Sequence, residues 1–120
     1  MTYRNRSASI RGIELSGGKC IICDWVKYGL NGNSLVEGAH VRPYESGYEF
    51  DDYDNIIALC PNHHTEFDAF NFYIDPNTYT VHFRNSGEEY DGLMVKDKVK
   101  HIKKEYLAYA KYIYDKNNSK

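Results

Sequence analysis

The sequence contains no long run of apolar residues. A transmembrane helix needs about 18 or more of them in succession, so we expect no membrane-spanning segment. Residues 1–6 also lead into no apolar stretch of the kind that a secretory signal peptide carries. Both absences favour a protein that is made and kept in the cytoplasm.

Cysteine is scarce, with three residues in a chain of 120. An odd number cannot be fully paired within the chain, which argues against a small disulfide scaffold. Cys20 and Cys23 are separated by two residues. In a reducing compartment this spacing indicates metal-bound thiolates more than a disulfide.

An excess of positive charge is also missing, because the formal net charge is -2 at pH 7. Proteins that hold nucleic acid usually offer a basic surface to the phosphates, so this value counts against such a partner. The distribution weakens the objection: lysines cluster from Lys96 to Lys104, and the acidic run Glu45 to Asp54 lowers the sum. Bound divalent cations would offset part of the negative charge locally.

The chain has the length and pattern of a single α+β domain over residues 1–120. Apolar runs predict strands over 35–41 and 56–59, followed by a helix that begins at Pro61. Residues 72–83 predict a β-hairpin around the turn at Asp75 and Pro76. Apolar residues at three- and four-residue spacing predict a long amphipathic C-terminal helix over about 95–116.

Two pairs of metal-binding side chains share the same two-residue gap. Cys20 and Cys23 form the first pair, and Cys60 and His63 form the second. Zn²⁺ prefers four such ligands in a tetrahedron, and a two-residue gap lets one tight turn present both members of a pair. The sequence therefore predicts a structural zinc site, since four protein ligands leave no open position for a substrate.

A second set of residues carries a family resemblance. Residues 39–43 read AHVRP, residues 54–64 read DNIIALCPNHH, and Asp68 follows. In this order and spacing the chain resembles the HNH endonuclease motif, in the subgroup common among bacterial restriction and defence nucleases. The signature letters fall on His40, Asn55 and His64. The resemblance covers about residues 20–74 and implies a ββα-metal core with a zinc knuckle.

The resemblance and the chemistry of these side chains agree on the expected roles. Histidine takes up a proton near pH 7, so His40 is expected to be the general base, with Asn55 bonding the imidazole or the backbone around it. His64 and Asp68, four residues apart on the predicted helix, would share one catalytic ion, with Mg²⁺, Mn²⁺ and Ni²⁺ all acceptable. Arg42 is expected to contact a phosphate through its parallel donors. The resemblance further implies 5′-phosphate and 3′-hydroxyl products.

One position departs from the family pattern. Many members place Asp, Glu or His immediately before the base as a further metal ligand, whereas this chain has Ala39. Glu37 is a poor substitute on sequence grounds, because a residue three positions earlier on a regular strand faces away from His40. The ion is then expected to depend on Asp68, or on water and the substrate phosphate.

The expected partner is nucleic acid, with DNA favoured over RNA. A single site cuts one strand, so double-strand cleavage would need a homodimer, two separate nicks or a partner protein. Two alternatives stay open: a non-catalytic zinc-stabilised module that binds nucleic acid or protein, and a nuclease subunit that depends on a specificity partner. Ala39 and the negative net charge favour the first, and the small size suits the second.

Overall fold

The computed structural model describes residues 6–43 and 50–119. Its elements follow the order α1 (Arg6–Leu15), β1 (Glu37–His40), β2 (Ile56–Leu59), α2 (Pro61–Asp68), β3 (Phe72–Ile74), β4 (Val81–Phe83) and α3 (Lys104–Asn118), with 3-10 helices at Tyr53–Asn55 and Lys96–Lys98. This order confirms the predicted α+β class. Residues 1–5 and 45–49, which belong to the N-terminal segment and the acidic run discussed above, lie outside the described ranges. Among the described helices, none has the length and apolar character that crossing a membrane requires.

The first unit of the fold is an antiparallel β1–β2 pair followed directly by α2. Glu37 pairs with Leu59 at one end of the register, and His40 pairs with Ile56 at the other. β2 is buried along its whole length, and Pro61 then occupies the first turn of α2. Proline is favoured there because its missing N–H would have no partner within the helix. The predicted order of strand, strand and helix is confirmed.

The second sheet is the predicted hairpin of β3 and β4. Phe72 pairs with Phe83, and Ile74 pairs with Val81, so that the two strands bury one common face. The connecting turn is held by Asp75, whose carboxylate accepts hydrogen bonds from two backbone N–H groups that follow it. α3 packs against β3 and completes this half of the core.

The C-terminal helix is shorter at its start than the predicted 95–116, because α3 begins at Lys104. The apolar residues Val95 and Val99 are buried as the spacing suggests, but the chain between 95 and 103 forms only a 3-10 turn at Lys96–Lys98. Two backbone donors of this segment bond outside it: the N–H of Val95 to the carbonyl of Tyr79 at 2.9 Å, and the N–H of Lys103 to that of Asp54 at 3.1 Å. The prediction over 95–103 is wrong because those sheet and loop contacts replace helical hydrogen bonds.

α1 covers the outer face of the β1–β2 pair, and its close approach depends on glycine. A Cβ atom added to Gly12 would lie 2.7 Å from the Cβ of Ile56, and one added to Gly38 would collide with Ser9 on α1. The backbone of β1 is thus fixed against α1 immediately beside Glu37. Both strands that carry the predicted site are therefore in close contact with α1.

Candidate active site and metal centre

The four predicted zinc ligands come together in the structure. The sulfurs of Cys20, Cys23 and Cys60 and the Nδ1 of His63 all lie within 4.8 Å of one another. Cys23 and Cys60 have a sulfur separation of 3.9 Å. Zn–S bonds of about 2.3 Å in a tetrahedron separate two sulfurs by roughly 3.8 Å. The composition and spacing of the group are those of a site that could hold a metal ion such as zinc.

Local backbone structure presents each ligand pair. Cys20 and Cys23 lie on one turn, closed by the N–H of Asp24 on the carbonyl of Cys20 at 3.0 Å. Cys60 is the N-cap of α2, and its sulfur accepts the backbone N–H of His63 at 3.4 Å. The turn is attached to β2, because the N–H of Ile21 donates to a β2 carbonyl at 3.0 Å.

The electrostatics of the cluster favour a bound cation. Burial opposes ionisation of Cys20, but hydrogen bonds with His63 and with the backbone of neighbouring residues together outweigh it and lower the pKa of Cys20 to about 6. Burial raises the pKa of Cys23 to about 12 and raises the pKa of Cys60 as well. Three crowded thiols cannot all ionise without a compensating charge. A divalent cation would supply that charge and stabilise all three as thiolates.

Three of the predicted site residues, His40, His64 and Asp68, line one cavity of about 350 Å³, and the buried Asn55 does not. His40 ends β1, His64 lies in the first half of α2, and Asp68 is the last residue of α2. The Nε2 of His64 lies 3.4 Å from the Oδ2 of Asp68. Two donors that bind one ion at about 2.1 Å with tetrahedral or octahedral angles lie roughly 3.0–3.4 Å apart. The pair therefore has a spacing at which both side chains can bind one divalent ion.

Asn55 is fully buried and bonds to backbone instead of to an imidazole. Its Oδ1 accepts the N–H of Arg42 at 2.8 Å, and its Nδ2 donates to the carbonyls of Arg42 and Phe50, each at 2.7 Å. These bonds join the two ends of the chain segment between β1 and the 3-10 helix at Tyr53–Asn55. The sequence left two partners open for the Asn55 amide, the imidazole or the backbone around it. In the structure the amide bonds to the backbone.

Two acidic residues that sequence reasoning did not select contact the histidines. The Oδ1 of Asp51 lies 2.8 Å from the Nε2 of His40, and the Oε1 of Glu37 lies 2.7 Å from the Nδ1 of His64. β1 pairs regularly, as expected from the sequence. Glu37 lies opposite Leu59, however, and is therefore next to the start of α2. Register and helix start together could have indicated this contact. For Asp51 the sequence offers only membership of an acidic run.

Arg42 stacks between aromatic rings. Its guanidinium carbon lies 4.3 Å from the ring centre of Phe50 and 4.0 Å from that of Tyr109 on α3. Such cation–π contacts hold the side chain flat against α3. Its Nε is buried, with no hydrogen-bond partner among the described residues. The predicted phosphate contact of Arg42 stays a prediction.

Comparison with known proteins agrees with this geometry. Residues 20–75 match the family profile described as HNH endonuclease, and the match spans the ββα unit and the Cys/His cluster. Among solved structures, a similar chain is the "Modification dependent TagI restriction endonuclease", at 25% sequence identity and a TM-score of 0.71. The alignment covers 92% of this chain and 38% of that one. No curated protein matches the sequence significantly.

The bonds of Asn55 make a prediction about stability. Asn55→Ala leaves one backbone donor and two carbonyls without their partner in a buried place, which should lower the free energy of unfolding by about 2–3 kcal/mol. Urea denaturation of the metal-loaded protein measures this. Asn62→Ala, at an exposed position of α2, is the matched control and should change little. Equal stability of the two variants would contradict the role assigned to Asn55.

Proposed function

We propose that this chain is a metal-dependent endonuclease that hydrolyses phosphodiester bonds of DNA and leaves 5′-phosphate and 3′-hydroxyl ends. The observation that carries the proposal is the shared cavity of His40, His64 and Asp68. Hydrolysis of a phosphodiester needs a group that takes a proton from water and a centre that neutralises charge on the phosphate. The cavity offers a candidate for each within one space.

His40 is the proposed general base, and Asp51 is proposed to orient it. The two side chains are 9% and 8% exposed, so their 2.8 Å contact is shielded from water. A carboxylate accepts a hydrogen bond from Nε2–H, and the lone pair of the neutral ring is then on Nδ1. Nδ1 is the atom that we assign to proton abstraction. Asn55 contributes indirectly, because it bonds to the backbone of Arg42 and to that of Phe50, the residue before Asp51.

His64 and Asp68 are the proposed ligands of the catalytic ion. A divalent cation bound there supplies neutralisation of the scissile phosphate and of the leaving 3′-oxygen. Mixed imidazole and carboxylate ligands accept Mg²⁺, Mn²⁺ and Ni²⁺. Arg42 remains a proposed phosphate contact, although its stacking on Tyr109 limits how far its guanidinium can reach.

The rest of the cavity wall is apolar and suits the sugar and base beside the cleaved phosphate. Ala110, Ile113 and Tyr114 of α3 line it together with Phe70. Apolar and aromatic side chains cannot hold a phosphate, but they can contact deoxyribose and stack on bases. DNA is the favoured substrate because the similar TagI chain is a restriction endonuclease. Since the alignment covers 38% of the TagI chain, specificity would come from protein outside this domain.

A second candidate function is a zinc-stabilised binding module without catalysis. Ala39 favours it, because this fully buried residue stands where many relatives of the motif carry an additional ligand. The net charge of -2 also limits the attraction for a nucleic acid backbone. The contacts of His40 with Asp51 and of His64 with Asp68 support the enzyme instead.

Cleavage of supercoiled plasmid with Mg²⁺, Mn²⁺ or EDTA tests the enzyme. We expect metal-dependent nicking that His40→Ala reduces by about 100-fold or more. Asp51→Asn should cause a smaller loss, about 10-fold, because the amide can hold the wrong tautomer of His40. His82→Ala, a histidine of β4 outside the cavity, is the control. A folded, zinc-loaded protein that cleaves neither DNA nor RNA with any metal would favour the binding module.

The Cys/His cluster is proposed to hold structural Zn²⁺. Metal analysis of the purified protein should find about one zinc per chain, and removal by a strong chelator should lower the melting temperature until Zn²⁺ is restored. Cys23→Ser should lower the melting temperature in the same way, because it removes one of the four ligands. A zinc-free protein with an unchanged melting temperature would refute a structural role for the ion.

The apolar wall can be tested by filling it. Ala110→Trp places a large ring in the cavity and should slow plasmid cleavage by about 10-fold or more through lost substrate contact. Affinity for Mn²⁺ should stay unchanged, because the ion site is left intact. Ala108→Trp, on the exposed side of the same helix, is the matched control. Equal cleavage rates for the two variants would show that the substrate does not use this wall.

A further inference from the structure

The ring of His64 is engaged by carboxylates at both nitrogens. Glu37 lies 2.7 Å from Nδ1, and Asp68 lies 3.4 Å from Nε2. The first distance is that of a strong hydrogen bond, whereas the second is too long for one and fits two ligands of a common ion. The two contacts are therefore of different kinds.

The hydrogen bond with Glu37 selects one form of the ring. An ionised carboxylate only accepts hydrogen bonds, so the proton of neutral His64 belongs on Nδ1, facing Glu37. The lone pair is then on Nε2, facing Asp68. Among the described residues, Glu37 does not belong to any compact group of three metal-binding side chains, since only the Cys/His cluster forms one. Glu37 instead contacts Nδ1 of His64, on the other side of the ring from Asp68.

We propose that Glu37 is a positioning residue for the catalytic ion, which it serves by holding His64 in the Nδ1–H form with Nε2 directed at the ion. This inference rests on the proposed function, because it assumes an ion at His64 and Asp68. A carboxylate behind a ligating imidazole fixes the orientation of the ring and strengthens its other nitrogen as a ligand. Because Ala39 stands in place of a further ligand, the orientation and donor strength of each remaining ligand matter more for binding of the ion.

The backbone holds Glu37 in the position that this role requires. Register pairs it with Leu59, one residue before Cys60 caps α2. The next residue, Gly38, has no room for a side chain because Ser9 of α1 occupies that space. β1 and α1 are therefore in close contact at this point. Glu37 thus lies on β1, which packs closely against α1. His64 lies on α2, whose start is capped by Cys60.

The test is made on zinc-loaded protein without DNA. Before Mn²⁺ is added, two-dimensional ¹⁵N–¹H spectra of the histidine rings should show His64 as Nδ1–H, and as a mixture of tautomers in Glu37→Ala. Calorimetric titration with Mn²⁺ should then show affinity about 10- to 100-fold weaker in Glu37→Ala. Glu37→Gln, which keeps an acceptor oxygen, should lie between the two. Glu14→Gln, on the exposed side of α1, is the matched control.

A double-variant comparison separates positioning from direct ligation. In a His64→Ala background, Glu37→Ala should change the Mn²⁺ affinity no further, because its effect passes through the ring. A further loss there would show that Glu37 is itself a ligand and would overturn the inference. Wild-type His64 in the Nε2–H form, or unchanged affinity in Glu37→Ala, would overturn it as well. Absence of plasmid cleavage with the predicted Mn²⁺ coupling intact would reject the nuclease function alone.

Discussion

The start of α2 places residues of the Cys/His cluster beside a residue of the cavity. Cys60 and His63 belong to the Cys/His cluster, while His64, the very next residue, points to the cavity. A metal ion in the cluster would tie this turn to the one that carries Cys20 and Cys23. The orientation of His64 depends on that attachment, because an eight-residue helix has little stability of its own.

Each of the two cavity histidines has one ring nitrogen within 2.8 Å of a carboxylate oxygen. Asp51 contacts Nε2 of His40, and Glu37 contacts Nδ1 of His64. Opposite nitrogens are held in the two rings, so on the proposed function one ring offers Nδ1 to water and the other offers Nε2 to an ion. The same histidine–carboxylate contact thus suits proton abstraction in one ring and binding of an ion in the other. The two rings differ in which nitrogen faces the carboxylate.

Local patterns allowed the central part of the fold and the metal cluster to be predicted. The two-residue gaps of Cys20 to Cys23 and Cys60 to His63 are each set by one turn, and apolar runs mark both strands before Pro61. Contacts that depend on the path of a loop could not be predicted in this way. Asp51 reaches His40 across eleven residues of chain. The start of α3 was predicted too early because the buried residues Val95, Val99 and Ile102, which lie outside the 3-10 turn at Lys96–Lys98, repeat with helix-like spacing.

Several cations among the described residues make contacts within the domain. Lys98 lies 3.0 Å from Asp24, Lys103 lies 3.7 Å from Asp54, and Arg42 stacks on aromatic rings. These cations are partly neutralised and cannot contribute fully to the release of counterions that drives binding to DNA. On the proposed function, affinity from this domain would come mainly from the ion at His64 and from the apolar wall. Stronger attachment would then require protein outside this domain, which agrees with its alignment to 38% of the longer TagI chain.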